Sequence, residues 1–266
     1  MWVRAPGWFT ASVILGLGML SACSGSETAR DDETGGTSAT AGASAAGVSG
    51  TGTAGTGGTG TGDSAGTSGA GTIDCRADGD GTTTLVFVNR CAASVSFRGS
   101  DIDGGELPPG AFVCVDIGTA TEALSAKRYW GFSGEDPGGE HHTLAEFTFN
   151  TDFNDFDWYN ISHVDAFNLP MQIVPAARPD CETLTCAEDF LLNCPDVGRY
   201  EDSTGNLTSC VSPDRDDGES TVALYFEACD DAYAWSGDDA NGDDPSPVRA
   251  CAGEDWDIVF CPDGDA

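Results

Sequence analysis

Short apolar runs punctuate the later part of this chain and are scarce before it. Runs that alternate, or that cluster β-branched and aromatic residues, occur at 83–89, 93–98, 111–117, 128–132, 143–149, 158–164, 171–174, 222–227 and 256–260. Each has the length and composition of a strand. Within 143–149, Leu144, Glu146 and Thr148 would face one side of a sheet while Ala145, Phe147 and Phe149 face the other. Pro-Gly and Gly-Gly turn signals at 104–110 and 137–139 separate strands. A single helix is expected, at 186–193. Many short strands punctuated by turns make this an all-β fold, a sandwich or flattened barrel.

The pattern also divides the chain. Residues 1–22 read as a signal segment, with Arg4 near the start and a short apolar stretch at 11–20. That stretch is too short, and its downstream flank too polar, for a membrane-spanning helix. Leu20-Ser21-Ala22-Cys23 resembles the bacterial lipobox, which makes Cys23 the expected lipidation site and the mature N-terminus; ordinary secretion with cleavage near Ala22 is the alternative. Ser24 follows the cysteine, and by resemblance to bacterial sorting rules this points to the outer membrane or cell surface. Residues 23–72 then form a lipidated cysteine followed by a Gly/Thr/Ser/Ala tether. That composition offers too little burial to offset ordering entropy, and a random coil of this length spans roughly 40 Å. The folded domain is expected at 73–266.

Eleven cysteines imply an oxidising compartment and a disulfide framework, and setting Cys23 aside leaves ten to pair. The net charge is −33 at a sequence pI near 4.1, and residues 73–266 hold 39 acidic against 9 basic side chains. Such a surface repels nucleic acid, so no nucleic-acid partner is expected. Membrane contact is expected through the lipid anchor only.

Several blocks carry a family resemblance. They are Phe87-Val88-Asn89-Arg90-Cys91; Thr143-Leu144-Ala145-Glu146-Phe147; the segment from Trp158 through Asp165-Ala166-Phe167-Asn168-Leu169-Pro170-Met171; the spacing of Cys181, Cys186 and Cys194-Pro195; Cys229-Asp230-Asp231-Ala232-Tyr233; and Phe260-Cys261-Pro262. In order and spacing these resemble the thaumatin-like family across about residues 83–262. The chain departs from the pattern at Ala166, usually Gly, at Asp230, usually Pro, and in a shortened cysteine-rich loop region between 194 and 229. The resemblance implies a thaumatin-like β-sandwich with a small disulfide-rich loop region and a short helix. It implies the bridges Cys91–Cys261, Cys181–Cys251, Cys186–Cys229 and Cys194–Cys210, leaving Cys75 and Cys114 for each other. The ten cysteines by themselves permit many other pairings.

The family's acidic cleft, associated with glucan binding, is lined by one arginine and four carboxylates. Carried over position by position, it falls on Glu146, Asp165 and Asp238 with Asp239 beside it, while Asn160 stands at a carboxylate position and Phe132 at the arginine position. Glu146 and Asp165 are expected on one concave face, with Asp238 or Asp239 at its rim and Phe132 in the arginine's space. Loss of that arginine predicts a cleft with excess negative charge. The implied function is binding of a polysaccharide, β-1,3-glucan or a related wall polymer. Weak endo-β-1,3-glucanase activity by Glu146 and Asp165, two carboxylates able to act as acid and base, is a second reading. A structural or protein-interaction role without glycan binding is a third.

Other constellations offer less. His141, His142 and His163 lack zinc-ligand spacing. The acidic turns at 78–81 and 238–244 offer oxygen ligands but lack the register of a calcium loop. Neither metal nor cofactor is expected. Trp130, Trp158, Tyr159 and Trp235 are of a type that stacks on sugar rings, although strand aromatics usually pack in cores.

Overall fold

The computed structural model describes residues 65–66, 75, 79–136, 138, 140–151, 154–239 and 246–264. The signal segment, Cys23, most of the tether and the loop at 240–245 lie outside them. In chain order the strands are β1 (Ala65–Gly66), β2 (Thr82–Asn89), β3 (Val95–Gly99), β4 (Gly105–Leu107), β5 (Phe112–Thr119), β6 (Leu124–Phe132), β7 (Leu144–Phe149), β8 (Asp157–Ser162), β9 (Ala166–Phe167), β10 (Met171–Pro175), β11 (Leu184–Cys186), β12 (Arg199–Glu201), β13 (Leu207–Val211), β14 (Ala232–Tyr233), β15 (Arg249–Cys251) and β16 (Trp256–Phe260). The α-helix among the described residues, α1, is Thr221–Phe226.

Two sheets face each other. One runs β1-β5-β2-β16-β10-β11; the other runs β14-β8-β7-β6-β3-β4, with β15 pairing part of β8. A small third sheet joins β12, β13 and β9. In β7 alternate residues are buried, Ala145, Phe147 and Phe149 pointing inward as the alternation requires. The middle of β2, by contrast, is buried without alternation. It lies between β5 and β16 in the interior of its sheet.

The core between the sheets is aromatic. The Phe87 and Phe97 rings stack at 4.6 Å, Phe147 and Phe149 at 4.9 Å, and Tyr159 lies 4.5 Å from Trp256. Burying one such ring stabilises by roughly 2–3 kcal/mol. The bridges are Cys75–Cys114, Cys91–Cys261, Cys181–Cys251, Cys186–Cys229 and Cys194–Cys210. Asn89 explains its place in the opening motif: fully buried, its amide donates to the carbonyls of Ala93 and Leu107 and its oxygen accepts from the Cys91 N–H.

Two expectations are corrected. Residues 222–227 do not form a strand; Thr221–Phe226 is helical. Ser220 Oγ caps this helix by accepting from the Ala223 N–H, and Val222, Ala223 and Phe226 supply its buried face. A continuous apolar run has no period with which to choose strand over helix. Conversely, 186–193 is not a helix. Cys186 ends β11, and the Asp189 carboxylate accepts from the Leu191 N–H in a local turn that competes with helical bonding.

Candidate functional site

The outer face of the second sheet carries a polar row. Arg128, Glu146 and Asn160 are direct neighbours across β6, β7 and β8. Glu146 Oε1 lies 3.0 Å from Arg128 Nε, and its Oε2 accepts from Asn160 Nδ2 at 3.1 Å. The inward partners of this row, Tyr129, Phe147 and Tyr159, sit in the aromatic core, so the pleat itself turns the polar side chains outward.

Asp165 reaches the same cavity from the loop after β8. Three bonds fix that loop. Its carbonyl accepts from the Ser212 N–H, and Asn168 is tied to the start of β7, its oxygen accepting from Thr143 N–H while its amide donates to Gly131 O. The Asp165 carboxylate is nearly buried and pairs with Arg215 at 2.6 Å. Burial pushes its pKa up, and the Arg215 guanidinium offsets part of that rise. The opposite rim comes from the chain after β14: the Tyr233 hydroxyl donates to Asp239 at 3.2 Å. Burial and Asp239 push the phenol well above its ordinary pKa, so it remains a donor.

Arg128, Glu146, Asn160, Asp165, Arg215 and Asp239 thus line one open cavity of about 280 Å³, with Ser162, Val164, Tyr233 and Ser236. A second cavity of similar size adjoins it, sharing Arg128 and Asp165 and adding Trp130, His142, Leu144 and Glu140. The two together form a trough with alternating donors and acceptors and one aromatic wall.

The structure brings Glu146, Asn160, Asp165 and Asp239 together. Asp238 stands apart from the lining, its carboxylate accepting from the Ala234 N–H and closing the turn beneath Asp239. Phe132 does not occupy the arginine's space. It is buried, with the Arg98 guanidinium 5.6 Å from its ring centroid, and it lines a different cavity. Nor is counter-charge missing, because two guanidinium groups face three carboxylates in the cleft.

Arg128 lies four residues before Phe132, on the same face of β6. The register that pairs it with Glu146 was the signal that could have found it; Arg215, in a late loop, had none. The adjacent histidines diverge. His141 stacks on Tyr200 at 4.0 Å, while His142 Nε2 lies 3.1 Å from Asp136. His163 is wholly buried among Phe167, Phe190 and Phe226. Of the acidic turns, Gly79 and Gly81 donate their N–H groups to Glu254, and most of 238–244 lies outside the described residues.

Residues 133–222 match the model of the thaumatin family. The chain is 29% identical over 208 residues to pathogenesis-related thaumatin-like protein 3.6 of Cryptomeria japonica, covering 67% of this chain and 82% of that protein. It is 29% identical over 139 residues to a glucan endo-1,3-beta-glucosidase of Prunus avium, covering 45% of this chain and 55% of that one. The solved thaumatin-like xylanase inhibitor TLXI aligns with 67% of the chain at 20% identity and a TM-score of 0.35. The ordered motifs, the family match over 133–222 and the Cryptomeria relative agree in making this chain similar to the thaumatin-like family.

Proposed function

We propose that this chain is a secreted, lipid-anchored protein that binds a neutral polysaccharide, of β-1,3-glucan or related wall-polymer type, in the trough beside Glu146. The observation that carries the reading is the row Arg128–Glu146–Asn160 facing the Asp165–Arg215 pair. Sugar hydroxyls both donate and accept. This row offers fixed partners of both kinds with little net charge, and the Trp130 wall offers an apolar face to a ring. The trough has room for more than one sugar unit. A glucan endo-1,3-beta-glucosidase among the relatives is in keeping with a glucan ligand. Lipidation at Cys23 and the tether that follows would hold the domain at the outer membrane or cell surface.

The test is a pull-down of the soluble domain with insoluble β-1,3-glucan, followed by titration with soluble oligomers. Retention that is lost in Glu146→Gln supports the reading, and no retention on any wall glycan refutes it. Hydrolysis is a second reading, favoured by the presence of two carboxylates, Glu146 and Asp165, in one cavity. Reducing-sugar release that disappears in Asp165→Asn would establish it.

A further inference from the structure

The largest of the three cavities discussed is not part of the trough. It has a volume of about 430 Å³ and shares no lining residue with either trough cavity. Phe132, Leu169, Pro170, Leu191 and Leu207 give it an apolar floor. Three carboxylates line it, from three separate loops: Glu135 after β6, Asp189 after β11, and Asp202 between β12 and β13. Ser203 Oγ donates to Glu135, so two of these loops meet at the rim.

The charge pattern differs from that of the trough. No Arg, Lys or His is among the lining residues, whereas the trough sets Arg128 and Arg215 among its carboxylates. Arg98 packs on the Phe132 ring but does not line the cavity. Asp202 accepts from Thr204 and Asn206, which holds its pKa near 2. It contributes fixed charge rather than a free contact. Asp189 and Glu135 each have one oxygen engaged among the described residues, by Leu191 N–H and Ser203 Oγ.

We propose that this cavity is a second binding site, for a small organic cation with an apolar body, such as an aryl- or alkylamine. The apolar floor buries the body, the carboxylates at the rim take the ammonium group, and a neutral or anionic molecule of the same shape gains only the first. The proposal does not depend on the trough binding sugar.

The test uses phenethylamine, with 2-phenylethanol and phenylacetate as neutral and anionic isosteres, followed through methyl NMR shifts of the intact soluble domain. The amine should move the Leu169, Leu191 and Leu207 methyls saturably and the isosteres should bind more weakly. Each exposed carboxylate removed should cost roughly threefold in affinity, so Glu135→Gln with Asp189→Asn should weaken binding about tenfold. These replacements keep an accepting oxygen for Ser203 and Leu191, and unchanged methyl dispersion without ligand reports that the fold is intact. Glu146→Gln should leave amine binding unaltered. Equal binding of the alcohol, insensitivity to the double substitution, shifts centred on Val164 in the trough, or no saturable shift with the amine would each overturn the proposal.

Discussion

Arg128 Nε lies 3.0 Å from Glu146 Oε1, and the two residues are direct neighbours in the β6–β7 register. Both side chains keep some exposure to water, so the pair adds little to stability, about 0–1 kcal/mol. Its role is to orient Glu146. Arg128→Met should therefore leave the thermal midpoint nearly unchanged while weakening glucan binding roughly tenfold, the loss of one charge-assisted contact. Isothermal titration beside a melting curve separates the two effects.

His163 should make the domain acid-sensitive. Among the described residues neither ring nitrogen has a hydrogen-bond partner, aromatic rings surround it, and burial lowers its pKa to about 3. The unfolded chain takes up a proton near pH 6.5 that the folded one refuses. Stability from this residue is complete above that pH and falls as pH drops toward 3. At pH 4.5 the loss should be roughly 2–3 kcal/mol. Urea midpoints of His163→Phe should show a shallower acid limb.

Asp157 should act in the opposite sense. It is buried, accepts from the Asn150 N–H, and has its pKa pushed up to about 6 by burial. Between its unfolded value near 3.9 and 6 the folded protein holds a proton that the unfolded chain has released. This contribution is present at low pH and lost as pH rises through 6. Asp157→Asn should remove that decline, and carboxyl NMR titration of the native protein should locate an acid titrating near pH 6.

Cys91–Cys261 ties the turn just after β2 to the residue after β16 across 170 positions. Replacing both cysteines with Ala should cost about 2–4 kcal/mol, because the unfolded chain is released from a long constraint while β2 and β16 remain hydrogen-bonded neighbours. Denaturant unfolding of the double variant provides the comparison.

Cys23→Ser should shift the protein from the membrane to the soluble fraction. A mutant that remains membrane-bound would refute the proposed lipid anchor.

The strands were legible where one face is dry and the other wet. In β7 the period-2 pattern gives both the element and the direction of Glu146. It failed at 222–227, where Val222 to Phe226 are apolar or aromatic without a break and the deciding group is Ser220, a cap just outside the run. The cleft was half legible for a related reason. Glu146, Asn160 and Asp165 lie in ordered motifs, whereas Arg128 belongs to the site through strand register, and Arg215 through the approach of a loop fifty residues away. Phe132 holds the motif position two after Trp130, but Arg128 is the residue of β6 that lies across from Glu146, so motif spacing and strand register point to different side chains.

β16 occupies the interior of its sheet, between β2 and β10, yet follows every other described strand. A chain that stops short of Trp256 therefore lacks the middle of the sheet, not its margin, and presents two open edges where β2 and β10 should be joined. Assembly of this sandwich must wait until the last strand has been synthesised. Until then the nascent polypeptide exposes those edges, and a chaperone or a delay in release would matter most in that interval.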